Sequence, residues 1–384
     1  MTRVLLRASA AVLLLLATVL VGWRILKPAE VLATAKTAYP PLVIAQRGAF
    51  AKITVAPLIF QDRLRIYAAK HQVRADDPIY AHGVNTTRWS LRRWPAQLSG
   101  VVTDDTTVIT QWSDGELVAL DGRTGQITWR AKGPDAPDYD GYRTGAATVW
   151  DPPALRVSSG TVLLTAGQQI IAYAVSTGAE RWRATAPAGC TDGFTTAGGV
   201  YVCATGSYDL NSGQPVADWP TGPYTAVGCP VATSNCLGFR DGTGKGWRTP
   251  LPKPRRTVAL DDPATTVAAG IVVGVQGRVV TGYQDDGTKL WSWNGQARVL
   301  GGPPGRLLLL TPKNDLVALN PATGIRQYRF RLGTSKLEKI NWNVGAVQVS
   351  EHYMAIERLR KGGSKDQDSP THYFTSSPVL LVSI

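Results

Sequence analysis

Residues 119–129 read ALDGRTGQITW, and the chain holds two further copies of this phrase. Residues 172–182 read AYAVSTGAERW, and residues 318–328 read ALNPATGIRQY. Each copy begins with a small residue, has Thr-Gly five and six positions later, and ends in an aromatic residue four positions after that Gly. A phrase that recurs at a regular period indicates a solenoid, a propeller or another array of repeated units.

The residues that define the phrase also occur in weaker copies. Residues 281–291 read TGYQDDGTKLW and keep the Gly and the aromatic residue, whereas residues 79–89 read IYAHGVNTTRW, with Asn85 in place of the Gly. Two degenerate copies end at Trp219 and Trp247. The repeat-motif residues are Ala119, Asp121, Thr124, Gly125, Trp129, Thr177, Gly178, Trp182, Gly287, Trp291, Thr323, Gly324 and Tyr328.

The phrase predicts a strand, a tight turn and a second strand. Apolar runs such as residues 117–120 suit a strand that packs on both faces. Asp121 or Asn320 starts the turn, because its side chain can accept hydrogen bonds from the backbone that follows. The Gly supplies the left-handed position of the turn, and the aromatic residue fills the space between stacked sheets.

A further apolar run precedes most copies, so each unit contains three or four short strands in roughly 40 residues. We therefore predict an all-β fold, a β-propeller of about eight four-stranded blades. The short interval between Trp219 and Trp247 leaves seven blades as the alternative. Because an open sheet edge invites aggregation, we expect strands from residues 40–70 and 370–384 to meet in one closing blade.

The A-x-D-x-x-T-G-x-x-x-W phrase, complete at residues 119–129, resembles the repeat of the pyrroloquinoline-quinone-like (PQQ-like) β-propeller family. The resemblance spans about residues 75–330. The family includes quinoprotein dehydrogenases and non-enzymatic envelope proteins, such as the lipoprotein scaffold of the outer-membrane β-barrel assembly machinery. The resemblance therefore implies the fold, whereas function has to be argued from a site.

The N-terminus is the second informative feature. Basic residues flank a nearly uninterrupted apolar stretch from Ala8 to Trp23, which is typical of an uncleaved anchor or a cleaved signal peptide; a buried core element is a third reading. We predict a cytoplasmic basic tail at 1–7, a transmembrane anchor or signal segment at 8–26, a linker at 27–48 and the propeller at 49–384. No cysteine precedes Cys190, so we expect no lipoprotein anchor.

The four cysteines fall in two local pairs, Cys190 with Cys203 and Cys229 with Cys236, and each pair brackets a candidate hairpin. Local pairs on neighbouring strands suit disulfides, which indicate an oxidising compartment. Buried free thiols are the alternative, and the spacings do not match a metal site. We therefore expect a single-pass protein of the cell membrane whose propeller lies on the extracytoplasmic side.

The net charge of the chain is +13. A basic domain beside a membrane can attract anionic lipids or wall polymers, although Lys and Arg also simply solvate a surface. The basic clusters at Arg92-Arg93, Lys253/Arg255/Arg256 and Arg358/Arg360/Lys361 are not interleaved with aromatic residues, so we expect no nucleic acid partner. The expected partner is an unknown envelope protein or an anionic wall polymer.

Catalytic motifs are absent from the sequence. The four histidines are His71, His82, His352 and His372, none of them in a metal-spaced pair, and nothing matches a P-loop or G-x-S-x-G. The resemblance implies a vicinal cysteine pair and a calcium site in members that bind the quinone, and no two cysteines are adjacent here. We expect a non-enzymatic binding or scaffolding propeller without a cofactor or metal. A quinone-dependent dehydrogenase, or another propeller enzyme of the envelope, is the alternative.

Overall fold

The computed structural model describes residues 11–19, 22, 27, 29–81, 86–141, 144–185, 187, 190, 192–232, 235–335, 338, 341–374 and 377–384. These residues form eight antiparallel or mixed sheets that follow one another around a ring. The prediction of an all-β propeller with eight blades is confirmed, and the alternative of seven blades is wrong.

The strands are numbered along the chain and the blades in ring order. Blade 1 contains β3 (Leu58–Phe60), β4 (Leu64–Ala69), β5 (Gln72–Asp77) and β6 (Thr86–Trp94), with β1 (Ala29–Ala33) paired outside β6; blade 2 contains β7 (Leu98–Asp104), β8 (Thr107–Trp112), β9 (Glu116–Asp121) and β10 (Ile127–Lys132); blade 3 contains β11 (Leu155–Ser158), β12 (Thr161–Ala166), β13 (Gln169–Ala174) and β14 (Glu180–Thr185); blade 4 contains β15 (Phe194–Thr196), β16 (Val200–Cys203), β17 (Gly206–Asp209) and β19 (Asn235–Cys236).

The second half of the ring continues in the same way. Blade 5 contains β18 (Thr225–Val227), β20 (Gly238–Arg240), β21 (Gly246–Arg248) and β22 (Arg255–Arg256); blade 6 contains β23 (Thr265–Ala268), β24 (Ile271–Gln276), β25 (Val279–Tyr283) and β26 (Lys289–Asn294); blade 7 contains β27 (Arg298–Gly301), β28 (Leu307–Leu310), β29 (Asp315–Leu319) and β30 (Arg326–Arg331); blade 8 contains β31 (Trp342–Val349), β32 (Tyr353–Arg360), β33 (Val379–Ser383) and β2 (Gly48–Ile53).

Blades 4 and 5 explain the short interval between Trp219 and Trp247. The strands of blade 5 are only two or three residues long, so this blade uses less chain than the others. In blade 4 the chain outside β17 makes a single bridge between Tyr208 and Pro215 and then leaves the sheet. Trp219 therefore lies outside any strand, and its ring stacks on that of Phe239 in blade 5 at a centroid distance of 5.2 Å.

The two ends of the propeller meet in blade 8. Strand β2 pairs antiparallel with β33, from Gly48 opposite Ser383 to Ile53 opposite Val379. All five residues of β33 are buried between β2 and β32. The predicted closure by residues 40–70 and 370–384 is confirmed.

The repeated phrase forms the turn between the third and fourth strands of a blade. In blade 2, Oδ1 of Asp121 accepts hydrogen bonds from the backbone N–H groups of Arg123 and Thr124 at 2.9 and 2.8 Å, and Gly125 has a φ of 74°. Asp209 in blade 4 and Asn320 in blade 7 accept the equivalent bonds. The Asx turn and the left-handed Gly predicted from the sequence are thus both present.

Apolar layers between neighbouring blades form the core. One layer joins blades 2 and 3 through Leu117, Ala119 and Trp129 on one side and Val162 and Ile171 on the other. Further layers join blades 3 and 4, 5 and 6, 6 and 7, and 7 and 8. Strands buried on both faces, such as β9, follow from this stacking.

The predicted N-terminal segments are described only in part. Residues 1–7 lie outside the described residues, as do 8–10, 20, 21 and 23–26 of the predicted anchor; residues 11–19 are helical. In the described part of the chain, no helix is both long enough and apolar enough to span a membrane. Within residues 27–48, predicted as a linker, β1 pairs antiparallel with β6 from Ala29 to Ala33.

Candidate binding site

Trp150 connects residues from opposite sides of the ring. It ends a short helix, Ala146–Trp150, and is 1% exposed. Its indole Nε1 donates to the carbonyl of Pro57 beside blade 1 at 2.8 Å and to Oε1 of Gln348 in blade 8 at 3.2 Å. Its own carbonyl accepts from the N–H of Ala232, next to blades 4 and 5, at 2.6 Å. Blades 8 and 1 face blades 4 and 5 across an eight-bladed ring, so Trp150 and the loop that holds Ala232 together obstruct the central channel.

The segment between Cys229 and Cys236 also lies inside the ring. Strand β19 pairs in parallel with β15, the first strand of blade 4, and thus occupies the position nearest the axis. The side chain of Asn235 donates to the carbonyl of Val157 in blade 3 at 3.0 Å. The candidate hairpin between these cysteines is confirmed. Strand β18 pairs antiparallel with β20, and the N–H of Leu237 donates to the carbonyl of Gly228 at 3.1 Å, so that Cys229 lies opposite Cys236.

Both predicted disulfides are present. The S–S distances are 2.01 Å for Cys190–Cys203 and 2.02 Å for Cys229–Cys236. Cys190 is fully buried and Cys203 ends β16, so the first disulfide fastens the chain that enters blade 4. The second closes the loop between β18 and β20.

Beyond this blockage the channel opens as a cavity of about 400 Å³, which we call the cup. It lies where the first strands of blades 5 to 8 end. Because successive strands are antiparallel, this end shares a face with the Asp-x-x-Thr-Gly turns; we call it the turn face. The cup is lined mainly by apolar side chains, with no charged side chain among its described lining residues: Val267, Ala268, Val299, Leu300, Val347 and Val349.

Carboxylates lie beside the cup on the same face. The first turns of blades 8, 1 and 2 carry Glu351, Asp62, Asp104 and Asp105, which we call the acidic arc. Burial, and then the neighbouring charge of Asp105, raise the pKa of Asp104 above its usual value. The turn face thus combines an apolar cup with these carboxylates, and the first turns of the same face also carry Arg63 and Arg306.

Each predicted basic cluster has at least one arginine that forms an ion pair within the protein. Arg93 pairs with Asp114 at 2.9 Å and with Glu30 of β1 at 3.4 Å. Arg256 pairs with Asp261 at 2.6 Å. Arg358 is 1% exposed, and burial lowers its pKa, while Glu338 at 3.5 Å offsets part of this effect.

The predicted site residues separate into two groups. The repeat-motif residues lie between blades, away from the cup, and therefore serve the fold. Cys229 lines the cup, and Cys236 is joined to it. His82 lies outside the described residues. Sequence reasoning missed Trp150 and the cup, and the available signals were weak: an extra Trp outside the repeat register and a cysteine pair in a region without a strand pattern.

No known protein-family model matches this sequence, and no curated protein matches it. Among solved structures, the computationally designed Ika8 protein aligns with a TM-score of 0.51 and 14% identity over 88% of this chain and 100% of that one. BamB from Moraxella catarrhalis aligns with a TM-score of 0.43 and 16% identity over 92% and 97%. The C-terminal WD40 domain of Sif2 aligns with a TM-score of 0.47 and 11% identity over 89% and 97%. The similarity to Ika8 concerns the fold alone.

Proposed function

We propose that this chain is a non-enzymatic binding propeller of the bacterial cell envelope and a member of the PQQ-like repeat family. In this proposal residues 8–26 tether it to the cytoplasmic membrane, and the propeller lies on the extracytoplasmic side. Its cup binds an apolar segment of a partner protein. The observation that carries the proposal is the channel itself, which Trp150 and the loop that holds Ala232 together obstruct and which opens on the turn face as an apolar cavity.

The composition of the cup favours binding over quinone catalysis. Pyrroloquinoline quinone is a tricarboxylate, and a site for it needs cationic or hydrogen-bonding side chains that converge on the ligand. The lining residues of the cup include no Lys or Arg. All four cysteines form disulfides, so none is left to act as a thiol.

The carboxylates beside the cup favour a protein over an anionic wall polymer. Carboxylates of the acidic arc lie beside the cup, and they repel a polyanion at short range. An apolar cavity instead suits the side chains of a peptide segment, which are desolvated when they enter it.

Two features support the extracytoplasmic location. Two disulfides in one chain are typical of exported proteins. The apolar stretch between Ala8 and Trp23 is flanked by basic residues, as expected of a membrane anchor or an export signal.

Site-specific photocrosslinking in the native host tests the proposal. A photoreactive amino acid at Val299, in the cup, is expected to capture one defined protein, whereas the same group at Leu290 on outer strand β26 is not. The captured protein is then purified and titrated against the wild-type chain and Ala268→Trp, which fills the cup. Leu290→Trp is the matched control.

We expect Ala268→Trp to weaken binding by at least tenfold and Leu290→Trp to leave it unchanged. Equal affinity in both variants would rule out the cup as the site. Capture of a glycan or teichoic-type polymer at Val299 would favour the polymer alternative.

The quinone alternative has its own test. A ligand that binds only the native state at 100 times its dissociation constant adds about 2.7 kcal/mol of stability. We expect no rise in melting temperature when pyrroloquinoline quinone and calcium are added. A clear rise would support the dehydrogenase and argue against our proposal.

A further inference from the structure

We propose that Asp62, Glu351 and His352 bind a divalent transition-metal ion, with Zn²⁺ as the best fit, at the junction of blades 8 and 1. Asp62 lies in the turn between β3 and β4, and the other two residues lie in the turn between β31 and β32. The site borders the cup through Ser350, and it does not depend on the function proposed above.

The three side chains converge on one point. One oxygen of each carboxylate and one imidazole nitrogen all lie within 4.8 Å of one another. Tetrahedral Zn²⁺ places such atoms about 3.4 Å apart. Glu351 is exposed and His352 is half-buried, so small rotations of these two side chains bring the ligand atoms to that spacing.

Asp62 is a nearly buried carboxylate without a cation. It is only 8% exposed, and the hydroxyl of Ser350 donates to its Oδ1. Among the described residues, no Lys or Arg forms a salt bridge with Asp62 or Glu351, although the chain holds 41 Lys and Arg residues. Arg306 is close, but its Nη2 donates to the backbone carbonyl of Glu351 at 2.7 Å. Two adjacent carboxylates repel each other, and a divalent cation relieves that repulsion.

Backbone hydrogen bonds shape both turns without a metal. The N–H of Arg63 donates to the carbonyl of Phe60 at 3.0 Å in the turn that carries Asp62. The N–H of Ser350 donates to the carbonyl of Tyr353 at 2.9 Å, which closes the turn that carries Glu351 and His352. The N–H of Ile384 donates to the carbonyl of His352 at 3.0 Å. The backbone positions of the ligands are therefore set by hydrogen bonds within the protein.

The donor set selects the metal. One imidazole nitrogen and two carboxylate oxygens match Zn²⁺, which accepts both ligand types and needs only three protein ligands when water completes the shell. Ca²⁺ requires six to eight oxygen ligands, and Mg²⁺ is bound through oxygen rather than imidazole. Because the ligands come from both sides of the closing junction, bound metal is expected to stabilise the closed ring.

Cobalt substitution tests the site. The full chain, purified in detergent without a polyhistidine tag and stripped with a chelator, is titrated with Co²⁺ and then with Zn²⁺. We expect a visible d–d absorption band that saturates at one Co²⁺ per chain and is abolished by equimolar Zn²⁺. Zn²⁺ is also expected to raise the melting temperature.

The variants Glu351→Gln and His352→Gln change exposed or half-buried side chains, so they are expected to fold. Each is expected to weaken Co²⁺ binding at least tenfold and to remove the Zn²⁺-dependent rise in melting temperature. His372→Gln and Asp105→Asn serve as matched controls and are expected to bind like the wild type. A missing d–d band, or binding that both ligand variants leave unchanged, would overturn the proposal.

Discussion

Gly178 of blade 3 lies directly against the indole of Trp129 in blade 2, and a Cβ atom at Gly178 would come within 2.4 Å of Cε3 of that ring. The indole Nε1 of Trp129 donates to the carbonyl of Val175, in the same turn, at 2.6 Å. The Gly and the aromatic residue of the repeated phrase therefore meet across a blade junction, each belonging to a different copy. The same contact joins Trp89 to Gly125, Trp182 to Gly213 and Trp291 to Gly324.

Substitution of Gly178 by Ala is expected to destabilise the propeller for two reasons. The φ of Gly178 is 70°, which costs an L-residue about 1–2 kcal/mol, and the new methyl group overlaps the Trp129 ring. We expect a combined loss of about 3 kcal/mol in the free energy of unfolding, measured by urea denaturation.

Gly167→Ala is the matched control. Gly167 has a φ of 57°, but no atom lies within 4 Å of its Cβ position. This variant is expected to lose only the backbone component, about 1–2 kcal/mol. Equal losses in the free energy of unfolding in the two variants would show that overlap with the Trp129 ring adds nothing to the destabilisation.

The repeat made most of the fold predictable, because its features are local in sequence. The buried strand at 117–120, the Asx turn of Asp121 and the positive φ of Gly125 all depend on residues within ten positions. The number of blades was harder to predict, because Trp219, which was used as a blade marker, lies outside any strand and stacks on Phe239 of the next blade. Strand β1 was missed because all five of its residues are exposed, and it is held by backbone pairing with β6 and by the ion pairs of Glu30 rather than by apolar burial.

The candidate site was not predictable in the same way. The cup is formed by the ends of four strands that are far apart in sequence, and small residues such as Ala268 and Gly301 carry no chemical signature. The sequence around His352 shows no motif with metal-ligand spacing, because Asp62 lies at the other end of the propeller sequence and approaches His352 only when the ring closes. These contacts depend on which blades become neighbours.

Removal of residues 378–384 is expected to abolish soluble expression. This deletion removes β33, whose five residues are buried and pair with both β2 and β32. Without it the ring cannot close, and two sheet edges are left exposed to aggregation. Deletion of residues 365–368, in the exposed loop before β33, is the control and should leave expression unchanged. A soluble, cooperatively unfolding protein that lacks 378–384 would contradict the closure argument.

Loss of either disulfide is expected to destabilise the protein by about 2–3 kcal/mol, because each bond closes a short loop in the unfolded chain. The sequence separations are 13 for Cys190–Cys203 and 7 for Cys229–Cys236. We expect double alanine variants of either pair to unfold at lower temperature. Ellman's reagent should detect no thiol in the native protein before reduction. Only the Cys229/Cys236 variant should also weaken partner binding, since that disulfide borders the cup.

Stability is expected to fall at alkaline pH because of buried tyrosines. Burial raises the pKa of Tyr67, Tyr173 and Tyr201 above the ordinary value near 10, although the N–H of Gly193 partly lowers that of Tyr201. The folded state therefore holds these protons more tightly than the unfolded chain. Their contribution to stability is complete below about pH 10 and is lost as the pH rises through the higher folded-state values.

The urea midpoint should thus stay constant from about pH 8 to 9 and decline above about pH 10. Tyrosinate absorbance should rise in two stages, with the exposed phenols titrating before the buried ones. The phenol of Tyr201 donates to the carbonyl of Cys190 at 2.7 Å, so Tyr201→Phe is expected to lower stability at neutral pH. The decline of the urea midpoint at alkaline pH is expected to become shallower in this variant. A single titration of all 13 tyrosines near their ordinary pKa, with no loss of stability, would contradict the burial of these phenols.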